Sequence, residues 1–235
     1  MDKSELVKIS PLRILEKSIQ GGLQAGNIGV IASEKGVGKT ACLVQIAIDK
    51  LLQDNAVIHV SFADRVERII SWYEDVFKEI EKKYRLETSS DFIQEALKKR
   101  IIINLKQEGT GRELMLKSLE SMIVQGKFKA ETVVVDGYDF SLSSREELSL
   151  IRNFGRSLGI EFWFSASLKE EKPLFDEAGM PLMLKGLKDE VAVLIILDFE
   201  DNHIWLKLVK CHDLPLPPQL ELGLDPRTLI IGRKR

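Results

Sequence analysis

The sequence predicts an α/β fold: a mostly parallel sheet flanked by helices on both faces, with a C-terminal antiparallel hairpin. Three observations predict it. Apolar, strand-like runs alternate with helix-spaced segments along most of the 235 residues. The first such run feeds through a glycine-bearing loop straight into a helix. Two late runs, Val191 to Phe199 and Ile204 to Val209, are joined by Asp201-Asn202, a hairpin-type dipeptide.

Each element has its own signal. Residues 1–27 precede the first strand and end on the turn-forming stretch Gly21-Gly22-Leu23-Gln24-Ala25-Gly26. Ile28 to Ala32 and Ala56 to Phe62 are short apolar runs of strand type. Val66, Ile69, Ile70, Tyr73, Phe77 and Ile80 recur at helical spacing. A short helix is predicted over 91–99, a strand over Ile101 to Leu105, and a helix carrying Leu114, Leu116, Leu119, Met122 and Ile123. Thr132 to Asp136 is a buried-type strand ending in an acid, and Ser144-Arg145-Glu146-Glu147 has the form of a capping box opening a helix. Phe162 to Ser167 is a further strand, 168–190 a variable segment, Leu214 to Pro218 a loop, and Thr228 to Ile231 a last short strand. No repeat or internal boundary interrupts the pattern, which predicts a single domain over 1–235.

Composition narrows the function classes. Apolar residues make up 44% and charged residues 30%, with a net charge of −2, so nothing global points to nucleic acid or an anionic membrane. Cys42 and Cys211 lack neighbours at metal-ligand spacing and read as reduced thiols. His59, His203 and His212 are too scattered for a metal site, with His59 on a strand and His203 in a turn. The polar start and the lack of an apolar run of ~18 residues predict a cytoplasmic protein without a membrane span.

The loop is the chemically informative segment. Ser33-Glu34-Lys35-Gly36-Val37-Gly38-Lys39-Thr40 follows the first strand, and Ala41 continues into the helix. Glycines let backbone N–H groups turn inward, and the helix N-terminus adds partial positive charge, so residues 33–41 suit a chain of phosphates. Lys39 reaches the β- and γ-phosphates, and the Thr40 hydroxyl suits Mg²⁺. Ser33 stands where the pattern G-x-x-x-x-G-K-[ST] has its first glycine, and serine is less free at positive φ. A strand-to-helix turn that binds nothing has no need of the Lys-Thr pair. Asp136 is expected at the carboxyl edge of the sheet, where such folds place ligands. Alone it reads as the cap of the next turn; paired with Lys39 and Thr40 it reads as a second Mg²⁺ partner.

With these residues in place the chain resembles the RecA-type branch of phosphate-loop ATPases, nearest to KaiC-like and RadA-like proteins. The likeness runs over about residues 12–211. It rests on Gly21-Gly22-Leu23 with Gly26, Ser33 to Thr40, Val57 to Phe62, Val133 to Asp136, Phe164 to Ser167 and the hairpin ending at Lys210. The resemblance implies a RecA-like sheet, ATP and Mg²⁺ as cofactors, and a catalytic glutamate just after the second strand. That place holds Ala63-Asp64, so Asp64 is the candidate base beside Lys39, and the N-cap of the following helix is its other reading. Relatives carry a polar sensor where this chain has Ser165 and Ser167, and a Lys-x-Arg pair reaching a neighbouring subunit where it has Lys210-Cys211-His212.

DNA-handling relatives bind strands in the loops after Asp136 and Ser167. Here Tyr138 and Phe140 could stack on bases but more often serve packing, and 168–190 carries more acids than lysines, which disfavours nucleic acid. The apolar Leu174, Phe175, Met180, Leu182, Met183 and Leu184 suit a protein or peptide partner instead. The expected function is ATP binding with weak or absent Mg²⁺-dependent hydrolysis, coupled to partner binding or homo-oligomer assembly. The alternatives are a regulatory scaffold that has lost nucleotide function and, less favoured, an ATP-dependent DNA recombination or repair protein.

Overall fold

A computed structural model of the chain describes residues 3–63, 65–85, 91–106, 111–168, 173–216 and 220–233. The strands are β1 (Ile28–Ser33), β2 (Ala56–Ser61), β3 (Arg100–Asn104), β4 (Ala130–Asp136), β5 (Glu161–Ser167), β6 (Val193–Glu200), β7 (His203–Cys211), β8 (Leu222–Leu224) and β9 (Ile231–Arg233). They form one sheet in the order β3-β2-β4-β5-β1-β6-β7-β8-β9. Pairing is parallel from β3 to β6 and antiparallel from β6 to β9. The sequence predicts the hairpin β6–β7; the structure extends the antiparallel part by two further strands. Asp201 and Asn202 at the hairpin tip both have positive φ, 50° and 61°, as a type I′ turn requires.

The helices are α1 (Lys3–Ile9), α2 (Leu12–Ser18), α3 (Lys39–Leu52), α4 (Val66–Tyr84), α5 (Asp91–Lys98), α6 (Gly111–Glu120) and α7 (Arg145–Leu158). Their apolar faces and the two faces of the sheet make two cores. Ile31, Val57 and Val134 point to the side of α3, α4 and α5, whereas Val30, Ile58, Val133 and Val135 point to the side of α6 and α7. That alternation is the period-two rule of a strand covered on both faces. The capping box at α7 is realised: Ser144 Oγ accepts the Glu147 amide at 3.2 Å, and the Glu147 carboxylate accepts the Ser144 amide at 2.9 Å.

Four elements depart from the sequence expectation. α1 and α2 lie in the segment before the first strand. They hold α3 by polar contacts: Ser10 Oγ donates to Asp49 at 2.7 Å, and Arg13 pairs with the same carboxylate. Such bonds join residues some 40 apart and leave no local periodic trace. β8 is three residues long, centred on Gly223, and too short to read as a strand. β9 begins at Ile231, because Leu229 has a φ of 55° and turns the chain before it. His203 is the first residue of β7 rather than part of the turn.

α3 is buried on nearly every side: the sheet, α1, α4 and α5 pack on it, and residues 224–231 close on it at Gly38 and Gln45. Gln45 fixes this contact. Its Nε2 donates to the carbonyls of Ala41 at 3.0 Å and Leu229 at 2.8 Å, and its Oε1 accepts the Ile231 amide at 2.7 Å. His59, in the middle of β2, is fully buried beside Tyr73, whose ring carries the Arg100 guanidinium 4.1 Å from its centre. Burial, helped by Arg100, pushes the imidazole down to about 3, so it is held neutral.

Two outcomes follow. Gln45→Leu leaves the Leu229 carbonyl and the Ile231 amide unpaired and is expected to cost about 2–4 kcal/mol, read as a lower urea midpoint. His59 protonates more easily in the unfolded chain, near 6.5, than in the fold. Its contribution to stability is therefore complete above that pH and is lost on acidification, by up to about 1.4 kcal/mol per pH unit. Urea melts between pH 6.5 and 5 should show a shallower slope in His59→Phe than in the parent.

Candidate functional site at the carboxyl edge

The carboxyl ends of β4, β5 and β1 lie side by side, and the loop 33–40 leads from the last of them into α3. The register sets Ser33 opposite Ser167 and Ser61 opposite Asp136. Asp136, Ser165 and the loop therefore share one edge, as the alternation of strands and helices predicts.

Gly36 and Gly38 have φ of 87° and 116°, a region open to glycine, and Gly38 is the N-cap of α3. A Cβ at Gly38 would also lie 2.5 Å from Leu224 Cδ2, so β8 closes directly on the back of the loop. Ser33 does not meet the strain expected of it. It is the last residue of β1, extended and buried, and its φ is not positive. Its hydroxyl donates to the Glu34 carbonyl at 2.9 Å and accepts from Lys39 Nζ at 3.2 Å. The side chain thus has a role that glycine cannot fill.

Lys39 is buried, and its ammonium group points back over the loop. It donates to the carbonyls of Ser33 at 3.2 Å and Glu34 at 2.7 Å. Burial lowers its pKa from the usual lysine value, opposed by the charge of Asp136. Its hydrogen-bonding neighbours are all neutral oxygens, so an anion placed there would remove a desolvation cost that nothing in direct contact now offsets. Glu34, Lys35 and Gly36 are exposed, whereas Val37 packs on the core and Ala41 is fully buried in α3.

Beneath the loop, Thr40 Oγ1 donates to Asp136 Oδ2 at 2.8 Å, and Ser165 Oγ donates to Asp136 Oδ1 at 2.6 Å. Ser165 Oγ in turn accepts the Gly137 amide at 2.8 Å. The carboxylate therefore binds two hydroxyls from two different elements. Thr40 gives its proton to Asp136 and keeps its lone pairs for another partner, the arrangement a hard cation needs. Among the described residues no group of three or more His, Cys, Asp or Glu gathers around a point. A Mg²⁺ site does not require one, since that ion keeps several waters and takes one or two protein oxygens.

Other predicted residues fall differently. Asp64 lies outside the described residues. The N-cap of α4 is Arg65, not Asp64. Ala63 lies under Gly137: a Cβ there would approach the Ala63 methyl to 2.5 Å. Ser165 belongs to the site, whereas Ser167 is exposed. The Lys210 ammonium is engaged within the chain: it donates to the carbonyls of Lys188 at 2.7 Å and Val191 at 2.5 Å. His212 approaches the Gly22 carbonyl at 3.4 Å.

Tyr138 and Phe140 are buried and packed edge to face on Phe164. In 168–190, Leu184 is fully buried, Leu174, Met180 and Met183 pack on the core, and only Phe175 and Leu182 among the apolar residues named above are exposed. The apolar count of that segment thus overstates what it offers to a partner. Lys169, Glu170, Glu171 and Lys172 lie outside the described residues. No helix among the described residues is long and apolar enough to cross a membrane.

Sequence reasoning missed Leu224 and Gln45. Both act from the far end of the chain or toward it, and no motif marks either. No protein-family model matches this chain, and no curated protein matches it.

Ser165→Ala would strip one partner from a buried carboxylate oxygen and another from the Gly137 amide. The expected loss is about 1–3 kcal/mol of folding stability, read by chemical denaturation. An unchanged midpoint would show that these bonds carry no net weight.

Proposed function

We propose that the chain binds ATP with Mg²⁺ at the loop 33–40, as a RecA-like or KaiC-like protein. The observation that carries this reading is the Thr40–Asp136 hydrogen bond beneath a loop whose lysine is buried among neutral oxygens. In this reading the backbone from Ser33 to Ala41 and the Lys39 ammonium hold the phosphates. Thr40 offers a lone pair to Mg²⁺, and Asp136 accepts from Thr40 and from a metal-bound water. The metal would draw charge from the phosphate oxygens. The chain's own part is to fix the loop, exclude water behind it and orient the Thr40 hydroxyl through its hydrogen bond to Asp136.

Hydrolysis is slow or absent in this reading. The place of the water-orienting glutamate falls at Ala63-Asp64: the Ala63 methyl has no lone pair to accept a proton, and Asp64 stands one residue further on with a side chain one methylene shorter than glutamate. The packing of Ala63 against Gly137 supports a structural use of that position. The output is then a change in partner binding or assembly rather than turnover, in a cytoplasmic setting. A regulatory scaffold without nucleotide function is the second reading, and Ala63 is the residue that favours it.

Fluorescent ATP should bind the parent in Mg²⁺ and lose at least about tenfold in affinity in Lys39→Ala, with circular dichroism unchanged. At a ligand concentration about 100 times its Kd, unfolding should be opposed by about 2.7 kcal/mol. Thr40→Ala should weaken the Mg²⁺ dependence more than binding of the nucleotide alone. No binding by the parent overturns the proposal and leaves the scaffold reading.

A further inference from the structure

A second concave region lies between α4 and strands β7, β8 and β9, with a volume of about 900 Å³. That is within the usual size range of small-molecule sites, roughly 300–1,000 Å³. Its floor is unusual in composition. Trp205 pairs with Gly223 across β7 and β8, and Gly223 pairs with Gly232 across β8 and β9. The row therefore runs tryptophan, glycine, glycine, and two of its three positions carry no side chain.

The Trp205 indole leans over the bare row: a Cβ at Gly223 would be 3.0 Å from its six-membered ring. On the Trp205 ring itself the His203 imidazole is stacked nearly parallel, at 5.1 Å and 8°. The indole thus covers the Gly223 position, and the Gly232 position beside it has the Lys83 ammonium as its nearest neighbour.

The rim is cationic. Lys82, Lys83, Arg227 and Arg233 line it, against Glu79 and Asp225. Both acids are engaged locally. Glu79 pairs with Lys82 at 2.5 Å, and Asp225 accepts the amides of Arg227 at 2.8 Å and Thr228 at 2.9 Å. Lys83 donates to the Ile231 carbonyl at 3.1 Å, and its ammonium lies 3.5 Å from where a Cβ of Gly232 would be. Positive charge therefore stands beside the bare floor, with the local carboxylates already satisfied.

We propose that this cleft binds a free nucleotide-sized ligand: one flat heteroaromatic ring bearing phosphate. The ring lies over Gly232 against the edge of the Trp205 indole, and the phosphate is held by Arg227, Arg233 and Lys83. A single unit fits better than a strand of nucleic acid, because β8 and β9 are only three residues long and His203 and Trp205 make one aromatic pair. The site is separate from the loop 33–40. No residue of 33–40 lines the cleft; Leu224, which packs against Gly38, forms part of its wall. The proposal does not depend on the loop binding anything.

The test is titration of AMP followed by tryptophan emission, in the parent and in Lys39→Ala. Saturable quenching is expected in both, and its loss in Trp205→Phe assigns the signal against Trp72 and Trp163. Gly232→Leu fills the floor, and the double variant Arg227→Glu, Arg233→Glu reverses the rim; each should weaken AMP by about tenfold or more. Both arginines are exposed, so the double variant carries the test where Gly232→Leu does not fold. Absence of quenching to millimolar AMP overturns the proposal. So does unchanged affinity in the rim variant, or quenching that vanishes in Lys39→Ala. An affinity for oligodeoxythymidylate that rises with length and exceeds that for AMP overturns it in favour of a strand-binding surface.

Discussion

The carboxyl edge of the sheet is organised around one shared carboxylate. Asp136 is buried at the end of β4, and each of its oxygens accepts a hydroxyl proton, one from Thr40 on α3 and one from Ser165 on β5. A buried carboxylate without partners is costly, so these bonds are demanded by the position of the residue rather than added to it. They tie together the strand that carries the acid, the neighbouring strand and the helix that begins at the loop. The orientation of Thr40 follows from this. Its proton is committed to Asp136, and its oxygen is left facing the loop. The same acid also offsets part of the desolvation of Lys39.

Local chemistry explains what could be read in advance. The strand, the loop and α3 are contiguous, and each has a signal within a few residues: the apolar run Ile28 to Ala32, the glycines at 36 and 38, the pair Lys39-Thr40. Asp136 was legible because four apolar residues lead into it and parallel strands end at a common edge. The α7 capping box was legible for the same reason, as all of its atoms lie within four residues. Ser33 shows the limit of pattern matching. Compared with a motif it is a defect; in the structure it is an extended residue whose hydroxyl carries the Lys39 ammonium.

What could not be read depends on distant partners. Ser165 and Ser167 share the sensor position in sequence, and only the pairing of β5 with β4 singles out Ser165 as the partner of Asp136. Lys210 stands in sequence where relatives reach toward a neighbouring subunit, whereas its ammonium bonds the carbonyls of Lys188 and Val191 of its own chain. The segment 168–190 looks apolar enough to recruit a partner, yet Leu184 is sealed inside the protein's own core. α1 and α2 were hidden because their attachment to α3 runs through Asp49, a residue whose purpose is visible only when Ser10 and Arg13 are beside it. In each case the determining fact is spatial adjacency of residues far apart in sequence.

Gln45 joins α3 to residues nearly two hundred positions downstream. Ribosomal synthesis therefore leaves the stretch of that helix around Gln45 without its late partners until β8 and β9 have emerged. Closing so long a loop is entropically slow to reward, and that part of α3 stays open to other contacts in the meantime. During this interval the back of the loop also lacks Leu224. A nascent chain can thus form the strand and the loop early, while the support that fixes their shape arrives with the antiparallel end of the sheet.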